Sequence, residues 1–110
     1  MRLLQRDLKP YTVYRRVVVT EPDGSTSEDT DSVGHTIRAN VQPAGGKLML
    51  ELYGERLAYM LTAYMETGTD ILETDRVCIH VTSDAPPDYK VVAVRRWNTH
   101  YVVDLEKVRT

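Results

Sequence analysis

Cys78 and His80 stand two residues apart in "DRVCIHVTS", so on a strand they share one face. A thiolate beside an imidazole is half of a tetrahedral zinc site. His35 and His100 lie in separate stretches, and no segment supplies the missing ligands at a recognisable spacing. A half-buried thiol next to a surface imidazole is therefore the better reading. "GGKLM" shares a Gly-Lys step with phosphate-binding loops. It lacks the first glycine at the required distance, and Leu48 stands where a hydroxyl would reach magnesium. The carboxylates Asp70, Glu73, Asp75, Asp84 and Asp88 fall near expected turns, where a short acid bonds to backbone. No serine sits in a nucleophile elbow. These residues predict no enzyme, no cofactor and no metal, which leaves binding or assembly.

The elements that carry these residues form one domain, 1–110. A chain of this length buries roughly two-thirds of the surface its unfolded form exposes, enough for a modest core. Charged residues at 27% against hydrophobic ones at 42% place it with folded rather than disordered chains. The net charge of −2, without a lysine-rich run, argues against a dedicated nucleic-acid binder. One cysteine excludes an intrachain disulfide and suits a reducing cytoplasm. No apolar run approaches the roughly 20 residues of a membrane helix, and "MRLLQRDLKP" lacks the apolar stretch of a secretion signal.

Charge is distributed unevenly. Residues 1–16 carry Arg2, Arg6, Lys9, Arg15 and Arg16 against Asp7, while 21–31 carry Glu21, Asp23, Glu28, Asp29 and Asp31 with no cation. A solvated terminus and a solvated loop explain this contrast. Head-to-tail stacking of subunits, positive patch on negative, is its functional version.

Tyr11–Thr20 has the β-branched and aromatic composition of a strand, and Asp23-Gly24 is a turn signal. The return "TSEDTDSV" is polar, a weak edge strand or a loop. His35–Pro43 alternates, with Ile37, Ala39 and Val41 on one side. In residues 47–65, Met49, Leu52, Tyr53, Leu57, Met60, Leu61 and Tyr64 fit one long amphipathic helix interrupted by Gly54. The alternative is a short helix stopped at about Tyr53 by Gly54 and a strand near Leu57–Met65, with Tyr59, Leu61, Ala63 and Met65 on one face; periodicity alone leans to the long helix. "DRVCIHVTS" reads as a strand with Val77, Ile79 and Val81 on one side.

The segment Pro87–Lys107 reads as a hairpin turning at Asn98-Thr99, with Asn98 tolerating a positive φ. Cross-strand partners share a face. The pairs Val92/Leu105, Val94/Val103 and Arg96/Tyr101 then make a core face. Its back carries Tyr89, Val91, Ala93, Arg95 and Trp97 against Val102, Asp104 and Glu106. That back face is too apolar for water alone. Either another part of the chain covers it, or Tyr89, Val91, Arg95, Trp97, Val102 and Asp104 form a contact with a neighbouring molecule. Short strands with Pro and Gly punctuation predict a mainly β fold, a small barrel.

The order "IRANVQPAGGK", "LYGERLAYM", "DRV", "PDYKVVAVRRW", "HYVVDLEK" resembles the head-closure (head-tail joining) proteins of long-tailed bacteriophages, from about Tyr11 to Val108. The resemblance implies a small SH3-like barrel of antiparallel strands with one short α-helix and a long loop. The N-terminal arm would be 1–10 and the loop plus helix 42–56, and the short helix with a following strand is favoured over the long helix. It further implies a ring of identical subunits beneath the portal and adaptor proteins, closing the DNA-filled head and docking tail-terminator or tail-tube proteins. Such a protein is assembled in the host cytoplasm and resides in the virion neck, touching packaged DNA at most non-specifically and no membrane. Candidate lumen or docking loops are then Asp23, Gly24, Glu28 and Asp29 on one side and Gly45, Gly46 and Lys47 on the other. The alternative is a monomeric nucleic-acid-binding barrel with Tyr89, Arg95, Arg96 and Trp97 as its platform.

Overall fold

The computed structural model describes residues 7–30 and 33–108; residues 1–6 of the N-terminal arm and Asp31 of the acidic stretch lie outside them. The elements in chain order are β1 (Lys9–Tyr14), β2 (Arg16–Thr20), β3 (Thr26–Thr30), β4 (His35–Pro43) and α1 (Lys47–Tyr53). A 3-10 helix (Gly54–Tyr59), β5 (Met60–Met65), β6 (Arg76–Cys78), β7 (Tyr89–Arg96) and β8 (Tyr101–Lys107) follow. Six strands close an antiparallel barrel in the order β1-β4-β5-β8-β7-β6, and β2-β3 form a separate two-stranded hairpin. The fold is thus a mainly β small barrel with one short helix.

Alternation explains the core. Val13, Ile37, Ala39, Ala63, Met65 and Val77 point inward from successive staves, joined by Val103 and Leu105 from β8. The expected strand over Tyr11–Thr20 is two strands, broken at Arg15. Its guanidinium bridges the buried Asp75 and the exposed Asp70, and β2 leaves the barrel for the hairpin. Glu21–Ser25 makes the turn, with Gly24 at φ 90°, a region that side chains rarely adopt. Lys9 and Pro10, placed in an arm by the sequence, begin β1.

The 47–65 segment is a helix and then a strand. Gly54 takes φ 57°, which stops α1 after Tyr53, and the 3-10 helix turns the chain into β5. Ala63 and Met65 face the core and Leu61 packs against it, while Tyr59 stays outside the strand and is half exposed. Gln42 and Pro43 belong to β4, so only residues 44–46 connect β4 to α1. The strand at Arg76 ends at Cys78, because the Asp88 carboxylate accepts from the backbone N–H groups of Ile79 and His80. Val81 is consequently outside the core.

The β7–β8 hairpin keeps the expected partners from Arg96/Tyr101 to Ala93/Asp104, and its loop is Asn98-Thr99. Two corrections follow. Asn98 has no positive φ; among the described non-glycine residues Thr74 alone does. A β-bulge between Val91 and Ala93 leaves Val92 unpaired, so Val91, not Val92, sits opposite Leu105. One extra residue reverses the side-chain parity of everything before it. Val91 and Tyr89 therefore enter the core.

Candidate interaction surface

Of the six residues proposed for an outward contact, Tyr89 and Val91 are buried inside the barrel. Val102 and Asp104 point outward but are covered by the chain itself. Val102 lies between its ladder partners Arg95 and Tyr64, while the 3-10 helix packs on β5 and β8. Asp104, wholly buried, accepts from Arg95 Nη1 at 2.7 Å and Nη2 at 2.9 Å and from the Tyr53 hydroxyl at 2.7 Å. The covering of this face from within the subunit, one of the two readings of the sequence, accounts for Val102 and Asp104, whereas Tyr89 and Val91 are not on that face at all. Arg95 is partly exposed, and Trp97 is 56% exposed beside the hairpin loop.

The larger apolar exposure is on α1. Met49 is buried and Tyr53 half-buried, one turn apart, which leaves Leu48, Leu50 and Leu52 at 57–67% exposure around Glu51. Leu52, on the inner stripe if 47–65 were one long helix, is thus outside. The Met49–Tyr53 spacing, with Gly54 as a stop, was the signal that could have separated them.

This helix is firmly held. Tyr53 is tied to Asp104, and Arg56 in the 3-10 helix makes a forked pair with Glu106 at 2.6 and 3.0 Å. Burial first, and the bond to Asp104 second, push the Tyr53 phenol up to about 12. The Glu106 partnership raises the Arg56 guanidinium further above its usual range.

The loop candidates divide by location. Asp23 and Gly24 form the exposed tip of the β2–β3 hairpin, where Asp23 accepts from Ser25 and its carboxyl is held below the usual range by those bonds. Glu28 and Asp29 are paired in β3 with Val18 and Val17, and their side chains lie outside the described ones. Gly45, Gly46 and Lys47 are exposed at the entry to α1.

Cys78 is buried, with its thiol raised mainly by burial, and His80 is exposed past the strand end, edge-on to Tyr89. Among the described residues no three His, Cys, Asp or Glu side chains converge on a metal position. Asp75 and Asp88 are structural carboxylates: Asp75 receives Arg15 and the Leu72 N–H, and Asp88 caps β6. No described helix is long and apolar enough to cross a membrane.

No protein-family model and no curated protein matches the chain. Among solved structures it is similar to the solution structure of protein SF1141 from Shigella flexneri 2a, with a TM-score of 0.67 and 16% sequence identity over 96% of each chain. The likeness is one of fold. At that identity it supports the small closed barrel and carries no function from one chain to the other.

Proposed function

We propose that this chain is a non-catalytic structural protein of a bacteriophage neck. In that reading it is a ring subunit that closes the DNA-filled head beneath portal and adaptor and offers a docking surface to the tail. The order of sequence segments supports the family, and the small barrel with one short helix is compatible with it. The carrying observation is α1, a seven-residue helix pinned through Tyr53 and Arg56 that nevertheless turns Leu48, Leu50 and Leu52 outward. Grease held on a fixed element suits a permanent partner, because little conformational freedom remains to be lost on docking.

Trp97 and α1 lie toward opposite ends of β8. The ladder runs from Met65/Tyr101 beside the hairpin loop to Met60/Glu106 beneath the 3-10 helix. A contact joining one end of a subunit to the other end of the next is heterologous, and it closes into a ring when repeated about an axis.

The test is light scattering and negative-stain imaging of the purified protein, alone and with the portal–adaptor assembly of the same virus. The expected result is a ring bound to the adaptor. Leu48→Asp/Leu52→Asp should keep its far-ultraviolet circular dichroism and lose the ring. A wild-type chain that never joins the assembly, or that turns over a substrate, overturns the reading.

A further inference from the structure

Five cations far apart in sequence meet at one rim of the barrel. Arg56, Arg76, Lys90 and Lys107 line an open cleft of about 450 Å³ together with Glu106. An adjoining cleft of about 280 Å³ shares Arg56, Arg76 and Lys90 and adds Arg16. The strand registers explain the convergence: Arg76 is the ladder partner of Lys90, and Lys90 of Glu106. The two clefts thus form a continuous track in which Arg56, Arg76, Lys90 and Lys107 meet one carboxylate, Glu106, in a chain whose net charge is −2, with Arg16, which has a partner of its own, at the edge.

Like charges placed directly opposite in a ladder are destabilising, yet Arg76 faces Lys90. Glu106 offsets this only in part: it is the ladder partner of Lys90 and pairs with it at 3.8 Å, while both its oxygens are already bonded to Arg56. Neither Arg76 nor Lys107 is paired with a carboxylate among the described residues. An external anion would relieve the repulsion. From this we infer that the rim is a binding track for the phosphodiester backbone of a nucleic acid. Guanidinium forks suit phosphate oxygens, and two adjoining clefts sharing three cations suit a ligand with repeated charges better than a single phosphate. The lining offers no aromatic ring, so contact is to backbone and tolerant of base sequence. The inference stands whether or not the chain assembles into a ring.

Fluorescence anisotropy of the full chain with a labelled duplex oligonucleotide of arbitrary sequence, at 50 and 200 mM salt, tests it. With about four phosphates neutralised, affinity should fall roughly 100-fold between those concentrations, at about −0.9 per phosphate in the logarithmic slope. Arg76→Gln/Lys90→Gln should weaken binding at least 10-fold and flatten that slope by about 2. Lys47→Gln, at the entry to α1, should change neither. Circular dichroism establishes that each variant is folded. Absence of binding by wild type at low salt, or binding that the double variant leaves intact, overturns the track. So does a self-association lost in the double variant without oligonucleotide binding, which would make the partner an acidic protein surface.

Discussion

The Tyr53 hydroxyl, at the last residue of α1, donates a 2.7 Å hydrogen bond to the wholly buried carboxylate of Asp104, which Arg95 grips from the neighbouring strand. One carboxylate therefore joins the helix, β7 and β8. Asp104→Ala leaves a guanidinium and a phenol without it. Losing one member of a buried pair costs about 3–5 kcal/mol, and the lower end applies because Arg95 can partly return to water. Thermal unfolding should show a fall in Tm of about 10 °C or more, given about 4–8 °C per kcal/mol in a domain near this size. A variant melting with wild type would show that the clamp is not structural.

Tyr53 also makes the molecule sensitive to alkali. Its folded phenol is pushed up to about 12 against 10.0 for an ordinary tyrosine. Below pH 10 the phenol is protonated in both folded and unfolded chains, and its contribution to stability is fully present. Between those values the unfolded chain has released a proton that the folded one keeps, so stability falls as pH rises. Urea midpoints should decline from pH 10 upward, and Tyr53→Phe should make that decline shallower. An identical decline in both proteins contradicts the assignment.

Arg15 fixes the point where the β2–β3 hairpin leaves the barrel. It reaches Asp75, which is 1% exposed, through Nε and Nη2 at 3.2 Å each, and Asp70 at 2.8 Å. Arg15→Ala strands a buried carboxylate with the backbone N–H of Leu72 as its remaining donor among the described residues. Stability should drop by about 3 kcal/mol, seen as a lower urea midpoint at unchanged slope. Arg15→Lys should recover less than half of this, since an ammonium cannot reproduce the two-pronged contact. Full recovery by lysine would reduce the interaction to simple charge.

The bulge at Val92 makes opposite forecasts for two residues once assigned to one face. Val91→Asp introduces a charge among Leu105, Val77 and their neighbours and should leave the chain unfolded. Trp97→Asp should change stability by less than about 0.5 kcal/mol, because the indole packs little within the subunit. Circular dichroism and urea melts of the two variants decide the matter; a stable Val91→Asp would mean that the register is not that of the structure.

Much of the fold was legible because it is written in local pattern. Alternation marked β4 and β8, Asp23-Gly24 marked the first hairpin, and Gly54 offered the helix stop. The 47–65 stretch stayed ambiguous because Met49, Tyr53, Leu57, Met60, Leu61 and Tyr64 satisfy helical spacing even though the last three lie in a strand. The candidate contact face was misread at Tyr89 and Val91 for one reason, the unpaired Val92. A bulge carries no composition of its own within "KVVAV".

Local pattern in the chain is enough for a small, mainly β domain and for the extents of β4 and the β7–β8 hairpin, since periodicity and turn chemistry act between residues close in the chain. Tertiary structure alone decided which side of β7 faces inward, how Asp104 is covered, and that α1 presents leucines to the outside. It alone brought Arg16, Arg56, Arg76, Lys90 and Lys107 to one rim. Charges spread over five elements show no run along the chain. They become a surface only when strand order and register set them side by side.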